Sequence, residues 1–365
     1  MPLPSLPILS PTPANLGCSL LKYYGIEPPN ATFPAADTLL DRPWKNVVVV
    51  LLDGLGMNIL RKHLAPDGFL RAHLVAEYSS VFPPTTVAAT TALLSGRTPN
   101  ETGWLGWSAY FPEVDRNVSY FWNTDNDTGA RLDGPNLAEK LLPYRSIIRA
   151  IGETGVSARS LASFSMKPRK DFSRFCDQIL DATRAPSRTF TYAYWDDPDH
   201  TMHLEGTGAD AVRDALRGIE ASLAHLSDAL EDTLLLVTAD HGHIDVSTAF
   251  LDDDPMLCDM LQRRPSIEAR TISFFVKPEC MDAFQRHFEA RFSDTFRLLT
   301  RQQVLESRIF GQGRDHPRLA QLLGDFLAIA TGNLQIIYAG RAYRGNHAGF
   351  TEAELRIPLI AALYP

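Results

Sequence analysis

At 365 residues, with 45% hydrophobic and 21% charged, the chain has the balance of a globular protein with a sizeable core, which excludes disorder as its bulk state. Its net charge is -8, and Lys and Arg are scattered rather than gathered into a stripe, so a nucleic-acid-binding surface is not expected. Cys18, Cys176, Cys258 and Cys280 lie far apart with no CxxC pair, which fits neither a zinc ribbon nor a disulfide framework. No segment reaches about 18 uninterrupted apolar residues, and the opening MPLPSLPILSPTPANLG lacks the basic region of a secretory signal. The expectation is a cytoplasmic protein with no membrane partner, of unknown oligomeric state.

Residues 1–45 are rich in proline and read as an arm lying on the main domain, with a short amphipathic stretch at 20–24. The run 46–52 (NVVVVLL) is apolar and β-branched throughout, as a parallel strand buried on both faces requires, and it ends in Asp53-Gly54. Two further strands end in the same way. Residues 189–195 (TFTYAYW) deliver Asp196-Asp197-Pro198-Asp199, and residues 234–238 (LLLVT) deliver Asp240-His241-Gly242. Between them, Val212, Leu216, Ile219, Leu223 and Leu226 recur at spacings of three and four, predicting a helix over 209–230. Residues 268–310 alternate strand (271–276), helix (281–292), strand (296–299) and helix (301–307), which reads as a small inserted α/β subdomain. The chain then offers a strand at 334–338, the segment Gly345-Asn346-His347-Ala348-Gly349 and an apolar run at 357–363. The fold expected is α/β: a doubly wound, largely parallel sheet with helices on both faces, its core formed by 46–267 and 311–365.

Strand-end carboxylates collect where open α/β sheets bind ligands. Asp199-x-x-x-His203 offers one oxygen and one nitrogen to a borderline metal, and Asp240-His241-Gly242 turns two more donors into the same cleft. The segment 82–96 (FPPTTVAATTALLSG) has prolines ahead of small helix-compatible residues and a closing glycine, so a helix begins near Thr85 or Thr86. A hydroxyl there sits in the positive field of a helix N-terminus, where a metal can convert it to an alkoxide. Taken alone, the same threonine reads more readily as an N-cap.

In order along the chain, VVVVLLDGLG, FPPTTVAATTALLSG, DDPDHTMHLEG, TADHGHID and GNHAGFTEAELRIPLI resemble the alkaline phosphatase superfamily, most closely its nucleotide pyrophosphatase/phosphodiesterase branch. The resemblance implies a hydrolase of phosphate esters with two zinc ions about 4 Å apart, manganese being a substitute. It places Asp53, Thr86, Asp240 and His241 on one ion and Asp199, His203 and His347 on the other. Thr86 is then the nucleophile, through a phospho-threonine intermediate, with Thr85 the adjacent fallback. Charge supports the assignment, because three carboxylates and an alkoxide offset two divalent cations.

Relatives carry an asparagine shortly after the nucleophile helix, whereas this chain has Gly103-Trp104-Leu105-Gly106-Trp107, which leaves nucleotide specificity open. Trp104, Trp107 and Tyr110 read either as a leaving-group pocket or as core aromatics. His243 and Asp245 flank the metal motif as supporting partners or loop residues, and His243 is also a candidate substrate contact. The expected substrate is a small phosphate ester, with diesters favoured because no arginine is placed for a dianionic monoester. The alternatives are a phosphomonoesterase or phosphonate hydrolase on the same site, or a metal-bound scaffold without catalysis.

Overall fold

All seven residues of the strand Asn46–Leu52 are buried, as its unbroken apolar run requires. The computed structural model, which describes residues 9–166, 171–338, 340 and 342–364, sets this strand at the middle of a six-stranded sheet. The order is Leu74–Ser79, Arg356–Tyr364, Thr233–Thr238, Asn46–Leu52, Thr189–Trp195, Ser157–Ala162. Arg356–Tyr364 runs antiparallel to both of its neighbours, and the remaining pairs are parallel. The α/β, largely parallel architecture is therefore the one expected.

Helices cover both faces. Asp210–Asp228 packs on Phe172–Thr183, Met57–His63 and Phe69–Ala72, and buries Val212, Leu216, Ile219, Leu223 and Leu226, the stripe legible in the sequence. Each such side chain removed from water contributes about 1.5–3 kcal/mol. Pro13–Tyr23 packs on Pro34–Leu39, Thr86–Ser95 and Ile147–Gly152. It starts at a proline in the first turn, so the helix is longer than the 20–24 stretch anticipated. At Gly17 a Cβ atom would lie 2.2 Å from the Leu93 carbonyl oxygen, so this helix crosses Thr86–Ser95 backbone against backbone.

A second, antiparallel sheet has the order Phe296–Thr300, Phe326–Ala330, Thr271–Phe274, Ser266–Ile267, Ser108–Phe111, Arg116–Ser119. Residues 268–310 supply only two of its strands. The others come from 108–119, 266–267 and 326–330, so the sheet extends past both boundaries expected for an insert. The cause is pairing: Thr271–Phe274 bonds to Phe326–Ala330, on the far side of that segment. A buried Arg270–Glu354 pair links this sheet to the segment carrying His347. The guanidinium donates to both carboxylate oxygens at 2.7 and 2.9 Å and to the carbonyls of Gly332 and Leu334. Among the described residues no helix is long and apolar enough to cross a membrane.

Candidate active site

Register places the ligand loops together. Leu52 is opposite Trp195 and Leu51 opposite Thr238, so three neighbouring parallel strands finish at one edge, and their next residues enter one cleft. Backbone bonds fix the exits: Asp53 N–H donates to Trp195 O at 2.9 Å, and Asp199 N–H donates to Asp53 O at 3.0 Å. His347 arrives by another route. Gly345–Asn346 pairs antiparallel with Ile244–Asp245, a two-residue ladder that sets His347 beside the Asp240-His241-Gly242-His243 segment.

Thr86 is the first residue of the helix Thr86–Ser95, with Thr85 in extended backbone at its N-cap. Its Oγ1 lies 3.3 Å from Asp53 Oδ2 and 3.3 Å from His241 Nε2. His241 Nε2 is 3.3 Å from Asp53 Oδ1 and 3.6 Å from Asp240 Oδ2. Around Asp199, Nε2 of His203 is 3.3 Å from Oδ2, while Nε2 of His243 and of His347 are 3.1 and 3.8 Å from Oδ1. The rings of His241 and His347 stack between the two groups with centroids 3.8 Å apart. Three of these imidazoles are oriented through Nδ1: His203 on Gly345 O, His241 on Gly242 O and His347 on Pro84 O, at 2.9, 3.0 and 3.2 Å. Each therefore turns Nε2 inward, the arrangement of a metal-ligating histidine.

Burial shapes the electrostatics. Desolvation, then the charge of Asp199, raises the Asp53 carboxyl well above its usual range, and desolvation, then Asp53, does the same to Asp240. Asp199 is held well below its usual range: burial pushes it up, but the charge and hydrogen bonding of His203 outweigh that. His203 answers with a rise to about 9, burial being overcome by Asp199, whereas burial takes His243 down to about 4 and also lowers His347, with His241 adding to the latter. Asp199 Oδ1, Asp240 Oδ2 and both ring nitrogens of His243 are buried with no hydrogen-bond partner. Three clustered carboxylates, two of them with an orphaned oxygen, are costly without cations. Two donors on one tetrahedral zinc lie roughly 3.3–3.4 Å apart, the spacing found here repeatedly. Asp53, Asp240 and His241 form one group able to hold an ion, and Asp199 forms others with His203 and His243 and with His241 and His347.

Residues 47–268 match the family described as type I phosphodiesterase / nucleotide pyrophosphatase. The chain belongs to that family. With it comes the alkaline phosphatase superfamily, and the protein is a phosphoric ester hydrolase. Comparison with curated proteins finds no match. Among solved structures, human ectonucleotide pyrophosphatase / phosphodiesterase 5 aligns with a TM-score of 0.65 at 16% identity over 86% of this chain and 87% of its own. The murine protein, in an inactive threonine-to-alanine form in complex with AMP, aligns at 0.63 and 15% identity over 86% and 87%.

Within this family member, Thr86, Trp107, Asp199, His203 and His347 all line one cleft of about 630 Å³. Trp104 does not. It is buried against Tyr120 and Tyr144 with its indole N–H on Leu142 O, in the apolar cluster that includes Phe111, Val118, Leu327 and Ile329 of the second sheet. Tyr110 stacks under Arg263 and donates to Asp115 outside the cleft. His243, a candidate substrate contact by sequence, is fully buried beside Asp199. Two residues at the site escaped sequence reading. Tyr194 donates its hydroxyl to Asp53 Oδ2, and Glu268 accepts from Thr85 Oγ1 at 2.6 Å and from Trp107 N–H at 2.8 Å. Alternation along TFTYAYW was a signal for Tyr194; Glu268 had none, since its partners are more than 150 positions away.

Proposed function

We propose that the protein is a phosphodiesterase of the nucleotide pyrophosphatase type, acting through Thr86 on a two-zinc site. The observation that carries this reading is Thr86 Oγ1 at a helix N-terminus, 3.3 Å from both an Asp53 oxygen and His241 Nε2. Asp53, Thr86, Asp240 and His241 are assigned to one cation, and Asp199, His203 and His347 to the other. Mixed imidazole and carboxylate donors suit zinc, with manganese the next candidate. When bound, such cations lower the pKa of a hydroxyl and offset negative charge on phosphate.

The chain's own residues do the rest. Thr86 Oγ1 gives up its proton and attacks phosphorus as the bond to the leaving oxygen breaks and that oxygen takes up a proton, giving a phospho-threonine; water then cleaves that ester, its oxygen going to phosphorus and a proton returning to Oγ1. Backbone N–H groups at the start of Thr86–Ser95 face the equatorial phosphoryl oxygens. Tyr194 fixes the Asp53 carboxylate through Oδ2. Glu268 favours a diester over a monoester, because its carboxyl beside Thr85 disfavours the second negative charge of a monoester. AMP in a structural neighbour supports a nucleotide-like substrate, with Trp107 on the cleft wall available to a base.

The zinc-loaded protein, assayed on p-nitrophenyl phosphate, bis(p-nitrophenyl) phosphate and a p-nitrophenyl phosphonate, should show its highest kcat/KM on the diester. Thr86→Ala should lower that kcat by roughly a thousandfold or more while keeping its metals. Normal turnover by that variant removes Thr86 as nucleophile, and a wild-type protein inert on all three esters is a scaffold.

A further inference from the structure

We propose that His243 is a fourth protein ligand of the cation position formed by Asp199, His203 and His347. The inference rests on the two-metal reading and adds a donor to it. His243 is fully buried, and neither ring nitrogen has a hydrogen-bond partner. An imidazole left in that condition forfeits the hydrogen bonds it had in water. Something must meet it.

Its position says what. Nε2 lies 3.1 Å from Asp199 Oδ1, yet both atoms lack a hydrogen bond, so the contact is not aligned as one. His203 Nε2, one of the expected donors, stands 3.3 Å from the other oxygen of the same carboxylate. Both spacings are close to the edge of a zinc coordination tetrahedron, roughly 3.3–3.4 Å. Asp199, His203 and His243 have donor atoms that all fall within 4.8 Å of one another. The rings of His203, His243 and His347 surround that carboxylate, with centroids 4.7 Å apart for His203 and His243, 5.2 Å for His203 and His347, and 5.6 Å for His243 and His347.

Local structure holds the ring there. Asn58 Nδ2 donates to the His243 carbonyl at 2.8 Å, and the neighbouring Ile244–Asp245 strand is pinned to Gly345–Asn346. Gly345 makes the space: a Cβ there would lie 2.9 Å from His243 Nδ1. The other three histidines each have a carbonyl at Nδ1 and His243 has none, which makes it the weakest donor of the set. Three nitrogens and one oxygen form a donor set that selects zinc over harder divalent ions.

The test is a crystal structure of the zinc-loaded wild-type protein with anomalous data at the zinc edge, together with zinc and manganese titrations of the wild type, His243→Gln and His243→Ala. The expected result is an ion bound by Asp199, His203 and His347 with His243 Nε2 within about 2.3 Å of it. Both variants should lose about tenfold or more in zinc affinity at one of two sites, with a smaller loss for manganese. Two zinc ions with His243 more than about 3 Å from either, or variants that bind both zincs as tightly as wild type, overturn the role of His243 and leave the two-metal reading standing. No zinc at either position overturns both.

Discussion

Glu268 shows how much a single carboxyl can depend on its surroundings. Burial raises it from 4.5 to about 7, more than its bonds from Thr85 and Trp107 lower it. Because the folded value lies above the unfolded one, the folded metal-free protein binds more protons between pH 4.5 and about 7, and its stability falls as pH rises through that window. Glu268→Gln keeps an acceptor oxygen for both donors and carries no charge. The metal-free variant should match wild type near pH 4 and exceed it by on the order of 2 kcal/mol near pH 8, read by denaturant titration at each pH; a constant difference would refute the raised carboxyl. At this scale Asp53 and Asp240 were legible because each follows a strand whose burial is written in nearly unbroken apolar sequence. Gly242 was legible for an incomplete reason. A sharp turn was expected, whereas the structure requires glycine because a Cβ would lie 1.9 Å from the Ala353 carbonyl oxygen. Tyr194, His243 and Glu268 act through partners that chain order does not reveal.

Among elements, the segment carrying His347 depends most on others. It is held by the two-residue ladder to Ile244–Asp245, by Ala348 N–H on Pro84 O at 3.0 Å, and by Glu354, which accepts from Gly349 N–H at 2.7 Å while paired with Arg270. Arg270 and Glu354 are both fully buried, so removing one partner strands the other's charge. Arg270→Ala should destabilise the protein by roughly 3–5 kcal/mol in urea titration, and at temperatures where it stays folded it should release the cation at His347 before the one at Asp53. Equal loss of both cations would show that the clamp supports the whole cleft rather than this segment. The second sheet was only half legible for a related reason. Its helix Met281–Phe292 and strand Phe296–Thr300 follow local patterns, but Ser108–Phe111 and Arg116–Ser119 form a short hairpin whose place in the sheet is set by the distant pairing of Ser108 with Ile267.

At the scale of the whole molecule, donors from Asp53 to His347 are drawn into one place by two sheets, so on the two-metal proposal cations bind the folded chain and not the unfolded one. Each should add about 2.7 kcal/mol when free metal is a hundred times its Kd, and chelation should lower the thermal midpoint by several degrees, about 2–4 °C for each kcal/mol lost. A midpoint indifferent to chelator and to added zinc would argue that the donors hold no metal. The strand Arg356–Tyr364 is inserted between Thr233–Thr238 and Leu74–Ser79 rather than added at an edge. Until the ribosome has released that strand, two hydrogen-bonding edges stand open, flanked by a core already made of earlier segments. The nascent chain thus holds nearly all its donors for metal while still displaying the template for aggregation that an unpaired strand edge provides. Soluble yield in cells should therefore rise with a lower growth temperature or added chaperone, which cover the interval between emergence of residue 238 and arrival of residue 356.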